Sequence, residues 1–292
     1  MVQLPNHPIT QLPDSERGLY YDRLSAWTRL ANLVGYGGGH RDRLVHRALV
    51  DPRAGGRATP ARLNDIVAER VAAGTLPEAP RLLDAGCGFG GVMLDLVGRI
   101  GGTAIGLTLS AVQADGARKA AAHAGLSARV SVLVRDYDDP PAGPFDLIVA
   151  IESLAHSGDP QRSLEALTSR LAPRGRMVIV DDMPEPGAEG TDDLARFKAG
   201  WQCPVLWNQR RYHDALARLG LASDVEDLTI EYRPREMAAI ERLEWWNSVA
   251  CALVPVEAFR AMLASYSGGL SLERLYRRGL MRYVLIAAKK VP

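Results

Sequence analysis

The sequence predicts an α/β protein, a doubly wound and mostly parallel sheet with helical additions at both ends. Three observations carry this reading. Short apolar runs of strand length recur at residues 81–85, 103–107, 130–134, 145–150 and 176–180, separated by amphipathic stretches; that alternation belongs to parallel βαβ units. The first run, Arg81-Leu82-Leu83-Asp84-Ala85, leads directly into glycines spaced Gly86-x-Gly88-x-x-Gly91, ahead of an amphipathic stretch over 92–99. Strand, glycine turn and helix N-terminus in that order open a Rossmann-like unit. Apolar residues make up 47% of the 292-residue chain and charged residues 24%, a balance that permits a sizeable core.

Along the chain, residues 1–15 carry Pro5, Pro8 and Pro13 and read as a loose arm. From 17 to 49 apolar and aromatic residues recur at helical spacing, interrupted by Gly37-Gly38-Gly39. The stretch 51–59, with Pro52, Gly55 and Gly56, reads as a loop, and 60–73 as the helix that leads into the sheet. Ser110 is placed to cap a helix over 111–124. Beyond Pro184 the alternation stops. An acidic loop (185–193), a helix (194–201) and an amphipathic helix (210–219) ending at Gly220 precede a strand at 224–232. A helical insertion over 234–278 separates that strand from the last one, 282–289. Three parts result: an N-terminal arm and helical lid (1–75), a Rossmann-like core (76–183), and a completion of the sheet carrying the insertion (184–292).

Composition excludes several classes. A net charge of +1 offers no basic surplus for nucleic acid. Cys87, Cys203 and Cys251 are scattered, with no pair at metal-ligand spacing, so neither a disulfide framework nor a metal site is indicated. The start, Met-Val-Gln-Leu-Pro, lacks an apolar core of the leader type, and no run approaches the roughly 18 apolar residues of a membrane span. The expectation is a cytoplasmic protein without integral membrane association, acting on a small molecule, for which a homo-oligomer is compatible.

The residues beyond the glycine turn decide its ligand. A dinucleotide site places an acid about 20 residues on, at the tip of the second strand. Here that tip is Thr108-Leu109-Ser110, and the next acid, Asp115, lies inside the following helix. An NAD-dependent oxidoreductase therefore lacks half of its signature. Asp84, two residues before Gly86, instead resembles the acidic start of the Asp/Glu-x-Gly-x-Gly-x-Gly loop of class I S-adenosylmethionine (SAM) methyltransferases. The phrase Gly106-Leu-Thr-Leu-Ser-Ala-Val-Gln113 resembles a signature of one branch, which holds cyclopropane fatty-acid synthases and sterol and prenyl-diphosphate C-methyltransferases. The closing phrase Tyr276-Arg-Arg-Gly-Leu-Met-Arg-Tyr283 is similar to the tail of the latter two. The resemblance implies an antiparallel final strand, helices over the acceptor, and SAM as cofactor. It implies cofactor contacts at Asp84, Gly86, Gly88, Thr108, Leu109 and Gln113, with Asp136 on the adenine amino group and Tyr137 against the ring.

Catalytic candidates lie after the fourth strand, where open α/β sheets react their ligands. Glu152 and His156 are four apart, so a helical turn would set both on one face. Their Glu-Ser-x-x-His pattern resembles the same place in sterol, tocopherol and sugar methyltransferases. An alkene acceptor needs an anion such as Glu152 or an aromatic face beside its carbocation. A hydroxyl acceptor needs a base, His156, backed by Asp181 or Asp182. Tyr20, Tyr21, Trp27, Trp201, Trp207 and Trp246 are candidates for the acceptor wall, with Trp245 and Tyr266 nearby. His40, Arg41, Arg43, His46 and Arg47, and separately Arg210 and Arg211, either hold a diphosphate or carboxylate or form solvated helix faces. The expected activity is methylation of a lipophilic metabolite, C-methylation of an isoprenoid-like alkene ahead of O-methylation. A non-catalytic SAM-binding module is the alternative if Glu152 and His156 face away from the sulfonium.

Overall fold

Strands of this chain bury both faces, so consecutive side chains enter opposite cores: Leu82, Leu147 and Val178 one, Leu83, Ile148 and Ile179 the other. The computed structural model describes Gly18, Asp22 and residues 46–234, 236–253 and 257–291. A hairpin of β1 (Leu49–Asp51) and β2 (Arg57–Thr59) precedes helix α1 (Ala61–Ala72). Next come β3 (Arg81–Ala85), α2 (Gly91–Ile100), β4 (Thr103–Thr108), α3 (Ala111–His123), β5 (Val130–Val134), β6 (Phe145–Ile151), α4 (Pro160–Thr168) and β7 (Leu171–Pro184). The last part holds α5 (Asp192–Trp201), α6 (Gln209–Arg218), β8 (Leu221–Asp227), α7 (Met237–Leu253), α8 (Glu257–Arg277) and β9 (Met281–Lys290).

Seven strands form one sheet in the order β5-β4-β3-β6-β7-β9-β8. The first five are parallel, and β9 enters antiparallel between β7 and β8. One core packs α1, α2, α3, α5 and the last turns of α8 against the sheet; the other packs α4 and α6. Among the described residues no helix is long and apolar enough to cross a membrane.

Four local readings are corrected. The stretch 51–59 is not a loop but the turn and second strand of the β1–β2 hairpin, in which Leu49 faces Thr59. The Asp51 carboxylate accepts the Arg53 N–H, and Gly55 and Gly56 take φ of +68° and +76°, so the turn-forming residues close a hairpin. The strand expected at 224–232 runs from Leu221 to Asp227 and gives way to a 3₁₀ turn at Thr229–Glu231. Strand β7 opens at Leu171, but Ala172-Pro173-Arg174-Gly175 bulges out between the Phe145–Leu171 and Leu147–Arg176 pairs, with Arg174 at φ +65°; unbroken pairing runs from Arg176 on to Pro184, four residues past the expected end. The insertion is two helices; the helical reading of 17–49 fails at its end, where 46–48 are irregular and Leu49 opens β1, and the rest of it lies outside the described residues apart from Gly18 and Asp22.

Candidate active site

The carboxyl ends of β3 to β7 meet at one edge of the sheet, where parallel strands present their loops to a ligand. At the end of β3, Asp84 is 2% exposed, and burial pushes its carboxyl up to about 7, against a hydrogen bond from the Met93 backbone. Its Oδ2 is buried without a hydrogen-bond partner among the described residues. The loop beyond is tied to β4, since the N–H groups of Gly86 and Cys87 donate to the Leu107 carbonyl at 3.1 and 2.8 Å. Gly86 has φ +96°, and a Cβ there would lie 2.5 Å from that of Ser153. Ser153 Oγ is likewise buried without a partner among the described residues. Buried polar atoms are nearly always paired, so two orphans flanking a glycine that admits no side chain fit a ligand bringing its own polar groups.

At the end of β4, Thr108 Oγ1 donates to Gln113 Oε1 at 2.8 Å and accepts the Ser110 N–H at 3.2 Å. Ser110 caps α3, its Oγ accepting the Gln113 N–H at 3.0 Å. The phrase therefore fills two roles at once, a helix cap and a paired Thr108–Gln113. After β5, Asp136 is buried and its Oδ1 accepts the Asp138 N–H at 2.9 Å, while Tyr137 donates to the Ser153 carbonyl at 3.2 Å. Asp84, Gly86, Thr108, Leu109, Gln113, Asp136 and Tyr137 thus line three adjoining strand ends, with Gly88 at φ +53° in the loop between.

The second half of the site joins β6, β7 and β9. Glu152 is not in a helical turn: its φ of +48° ends β6, and a 3₁₀ turn (Leu154–His156) comes next. A non-glycine residue rarely holds that conformation, and such residues gather at functional sites. The consequence is that Glu152 and His156 diverge. Glu152 Oε1 accepts the Arg47 backbone N–H at 2.9 Å and the Tyr283 hydroxyl at 2.7 Å. The His156 ring turns to the segment after α5, with Nδ1 3.8 Å from Cys203 Sγ. Burial lowers the His156 pKa, opposed by the Gln202 backbone and the Glu152 charge, so its ring is neutral at pH 7.

Beside Glu152 sits Arg47. Its guanidinium lies 4.5, 5.0 and 5.1 Å from the ring centres of Tyr232, Tyr276 and Tyr283. One terminal nitrogen donates to both oxygens of Asp182 at 3.0 and 2.8 Å, and Tyr276 donates to Asp182 as well. Burial works against the Arg47 charge, but Asp182, Tyr276, Tyr232 and Glu152 outweigh it and hold its pKa well above the ordinary value. Burial and the adjoining Asp182 push the Asp181 carboxyl well up, while its oxygens accept the N–H groups of Ala155 and Asp182.

Several expectations are corrected here. Arg47 is neither a solvated helix face nor an open anion holder, since Asp182 and three rings enclose it; His46 bonds Asn64 at 2.9 Å. Trp207 belongs to the core, packed edge-on to Tyr212 at 5.4 Å with Arg211 over its ring. Trp246 is 59% exposed beside Trp245, because the buried face of α7 carries Ile240 and Asn247 instead. Trp201 spans α5 and α8, its indole donating to the Ser265 carbonyl at 3.0 Å. Arg210 is exposed near Asp214. Tyr20, Tyr21, Trp27, His40, Arg41 and Arg43 lie outside the described residues. Sequence reasoning missed Ser153, Tyr232, Tyr276 and Tyr283 as site residues. For Ser153 the only signal was its place in the Glu-Ser-x-x-His pattern, and for Tyr276 and Tyr283 their place at the two ends of the tail phrase. Tyr232 carried none.

Sheet order, glycine loop and paired Thr108–Gln113 together define a class I methyltransferase core. The family model for mycolic acid cyclopropane synthetase matches residues 67–181. A tocopherol O-methyltransferase, chloroplastic, of Arabidopsis thaliana is 39% identical over 225 residues, 72% of this chain. The chain spans 63% of that relative's length. The geranyl diphosphate C-methyltransferase of Streptomyces coelicolor A3(2) superposes with a TM-score of 0.68 at 24% identity, covering 97% of this chain and 99% of that one. The [4+2]-cyclase SpnF superposes with a TM-score of 0.70 at 23% identity, covering 95% and 96%. The fold and these likenesses are those of the class I SAM-dependent methyltransferases, and SAM is the cofactor they support. A cyclase on the same fold means that the fold alone does not fix the reaction.

Proposed function

We propose that the chain methylates a small lipophilic acceptor, at a carbon of an isoprenoid-like alkene. The observation that carries this reading is the enclosure of Arg47. The carboxyl ends of β6 and β7 already hold a planar, delocalised cation among three tyrosine rings and a carboxylate. An alkene that gains a methyl becomes a cation of the same kind, and an aromatic, anionic wall lowers its energy. Asp182 is engaged with the guanidinium, whereas Glu152 Oε1 accepts only a backbone N–H and the Tyr283 hydroxyl among the described residues. Glu152 is therefore the carboxylate free to face an acceptor cation and to take its departing proton at Oε2.

When bound, SAM supplies a methyl group made electrophilic by its sulfonium. The unpartnered Asp84 Oδ2 and Ser153 Oγ would hold its amino-acid end, Thr108 and Gln113 its ribose, and Asp136 with Tyr137 its adenine. These residues orient donor and acceptor; holding reactants in line accounts for much of such a rate.

O-methylation is the second reading, favoured by the neutral, buried His156 and by the 39%-identical relative named as an O-methyltransferase. Incubation with methyl-labelled SAM and either geranyl diphosphate or a chromanol tests the choice, with NMR placing the label. Label on carbon is expected, with Glu152→Gln lowering turnover about 10²-fold and leaving S-adenosylhomocysteine (SAH) affinity unchanged. Label on oxygen, with His156→Ala the crippling change and activity rising through a pKa lowered from the ordinary imidazole value, would replace the carbon reading.

A further inference from the structure

A chain of buried hydroxyls joins the start of α4 to the loop that follows β5. Ser157 is 3% exposed, and Ser163, in the first turn of α4, is fully buried. Ser157 Oγ accepts the Asp159 N–H at 3.1 Å and lies 2.7 Å from Ser163 Oγ. Ser163 Oγ donates to Asp138 Oδ1 at 2.5 Å, so the proton between the two serines is the one that Ser157 donates. The chain ends at the residue whose backbone N–H holds Asp136 Oδ1 at 2.9 Å. In such a turn the place of the Asp138 backbone orients the Asp136 side chain. A serine inside a helix is ordinarily satisfied by the carbonyl four residues back. Ser163 has that choice, with the Asp159 carbonyl oxygen at 3.1 Å. Its shorter, charge-assisted bond leaves the helix and spans 25 residues to another loop. That bond gives α4 nothing that the Asp159 carbonyl would not; what it fixes is the loop.

We infer that Ser163, held by Ser157, is a positioning residue for adenine recognition: it anchors Asp138 and thereby aims the Asp136 carboxylate at the adenine amino group. The inference rests on the reading of Asp136 as the adenine partner, and adds the residues that make that carboxylate selective. An aimed carboxylate accepts from the amino group of adenine. Against hypoxanthine it meets a carbonyl oxygen instead, and two buried acceptors are left facing each other. A carboxylate free to turn loses the bond to adenine but also escapes that clash. Loosening the relay therefore weakens an adenine ligand and spares a hypoxanthine one, whereas general damage to the fold weakens both.

Calorimetry on the whole chain compares SAH with S-inosylhomocysteine, which carries oxygen in place of the adenine amino group. Wild type should prefer SAH about 10²-fold. Ser163→Ala and Asp138→Ala should each cut that preference about tenfold, chiefly through weaker SAH binding. Asp138→Asn keeps an oxygen that accepts from Ser163 and should retain the preference within about threefold. Thr168→Ala removes another buried hydroxyl of α4, one bonded within the helix to the Leu164 carbonyl at 2.7 Å. It should lower the melting temperature without moving the preference. A preference within about twofold of wild type in folded Ser163→Ala or Asp138→Ala overturns the inference. So does a loss in Asp138→Asn equal to that in Asp138→Ala, because the bond from Ser163 would then not be what holds the loop. If Ser163→Ala does not fold, Ser157→Ala and Asp138→Ala decide by the same criterion. Equal binding of both ligands by wild type would remove Asp136 from the adenine and the inference with it. That failure differs from an intact preference that the variants leave unmoved.

Discussion

At the scale of the residue, Asp84 has the most to say. Burial raises its carboxyl to about 7 from an ordinary 3.8, and among the described residues no partner meets its Oδ2. Because the folded pKa lies above the unfolded one, the native state binds the extra proton between those values. Its contribution to stability is then full below about 4 and is lost as pH rises through about 7. A bound ammonium reverses the preference by favouring the carboxylate. SAH affinity measured by calorimetry should therefore rise about tenfold between pH 6 and 8, and Asp84→Asn should flatten that profile and weaken binding. The places of Asp84, Gly86, Thr108 and Gln113 were legible because each sits at a fixed offset from a strand end. Ser153 and the tyrosines around Arg47 were not. Their meeting depends on strands far apart in sequence, and a lone tyrosine or serine carries no spacing signal.

Elements were legible where periodicity and punctuation agreed, as in β3, α2, α3 and β6. They misled where turn residues close regular structure, as Pro52 and Gly55 do in the hairpin. The crossing of α5 and α8 was also hidden, because it is made by absent side chains. A Cβ on Gly200 would lie 2.5 Å from the Ala264 carbonyl and 3.0 Å from the Gly268 Cα. Propensity alone would favour alanine there by about 1 kcal/mol. Overpacking at a backbone contact reverses the sign, so Gly200→Ala should destabilise by about 1–3 kcal/mol in a urea melt. An exposed control, Gly98→Ala on α2, meets nothing within 4 Å and should be neutral or mildly stabilising. The buried ion network around Arg274, which bonds Asp193, Glu244 and Ser271, joins α5, α7 and α8 at the same crossing. Their sequence separation kept that network out of reach of local reading.

For the whole molecule, the seven-stranded sheet makes the cofactor half and the helical insertion share one core, which reaches from Leu63 to Leu285. Heating should give one transition, and SAH at a hundredfold its dissociation constant should raise the unfolding free energy by about 2.7 kcal/mol as a single shift. Two transitions in calorimetry, only one moved by SAH, would mean that β8, β9, α7 and α8 melt separately. The overall architecture was legible because alternation of strands and helices allows few topologies. The place of β9 has a further bearing on how the protein is made. On a ribosome β7 and β8 emerge long before β9, yet neither pairs with the other. Until residues 281–290 leave the exit tunnel, two strand edges with unpaired backbone groups stay open to wrong partners. Nascent chains stalled before Met281 should therefore be the aggregation-prone, chaperone-held species of this protein, and protease resistance should arrive abruptly with its last strand.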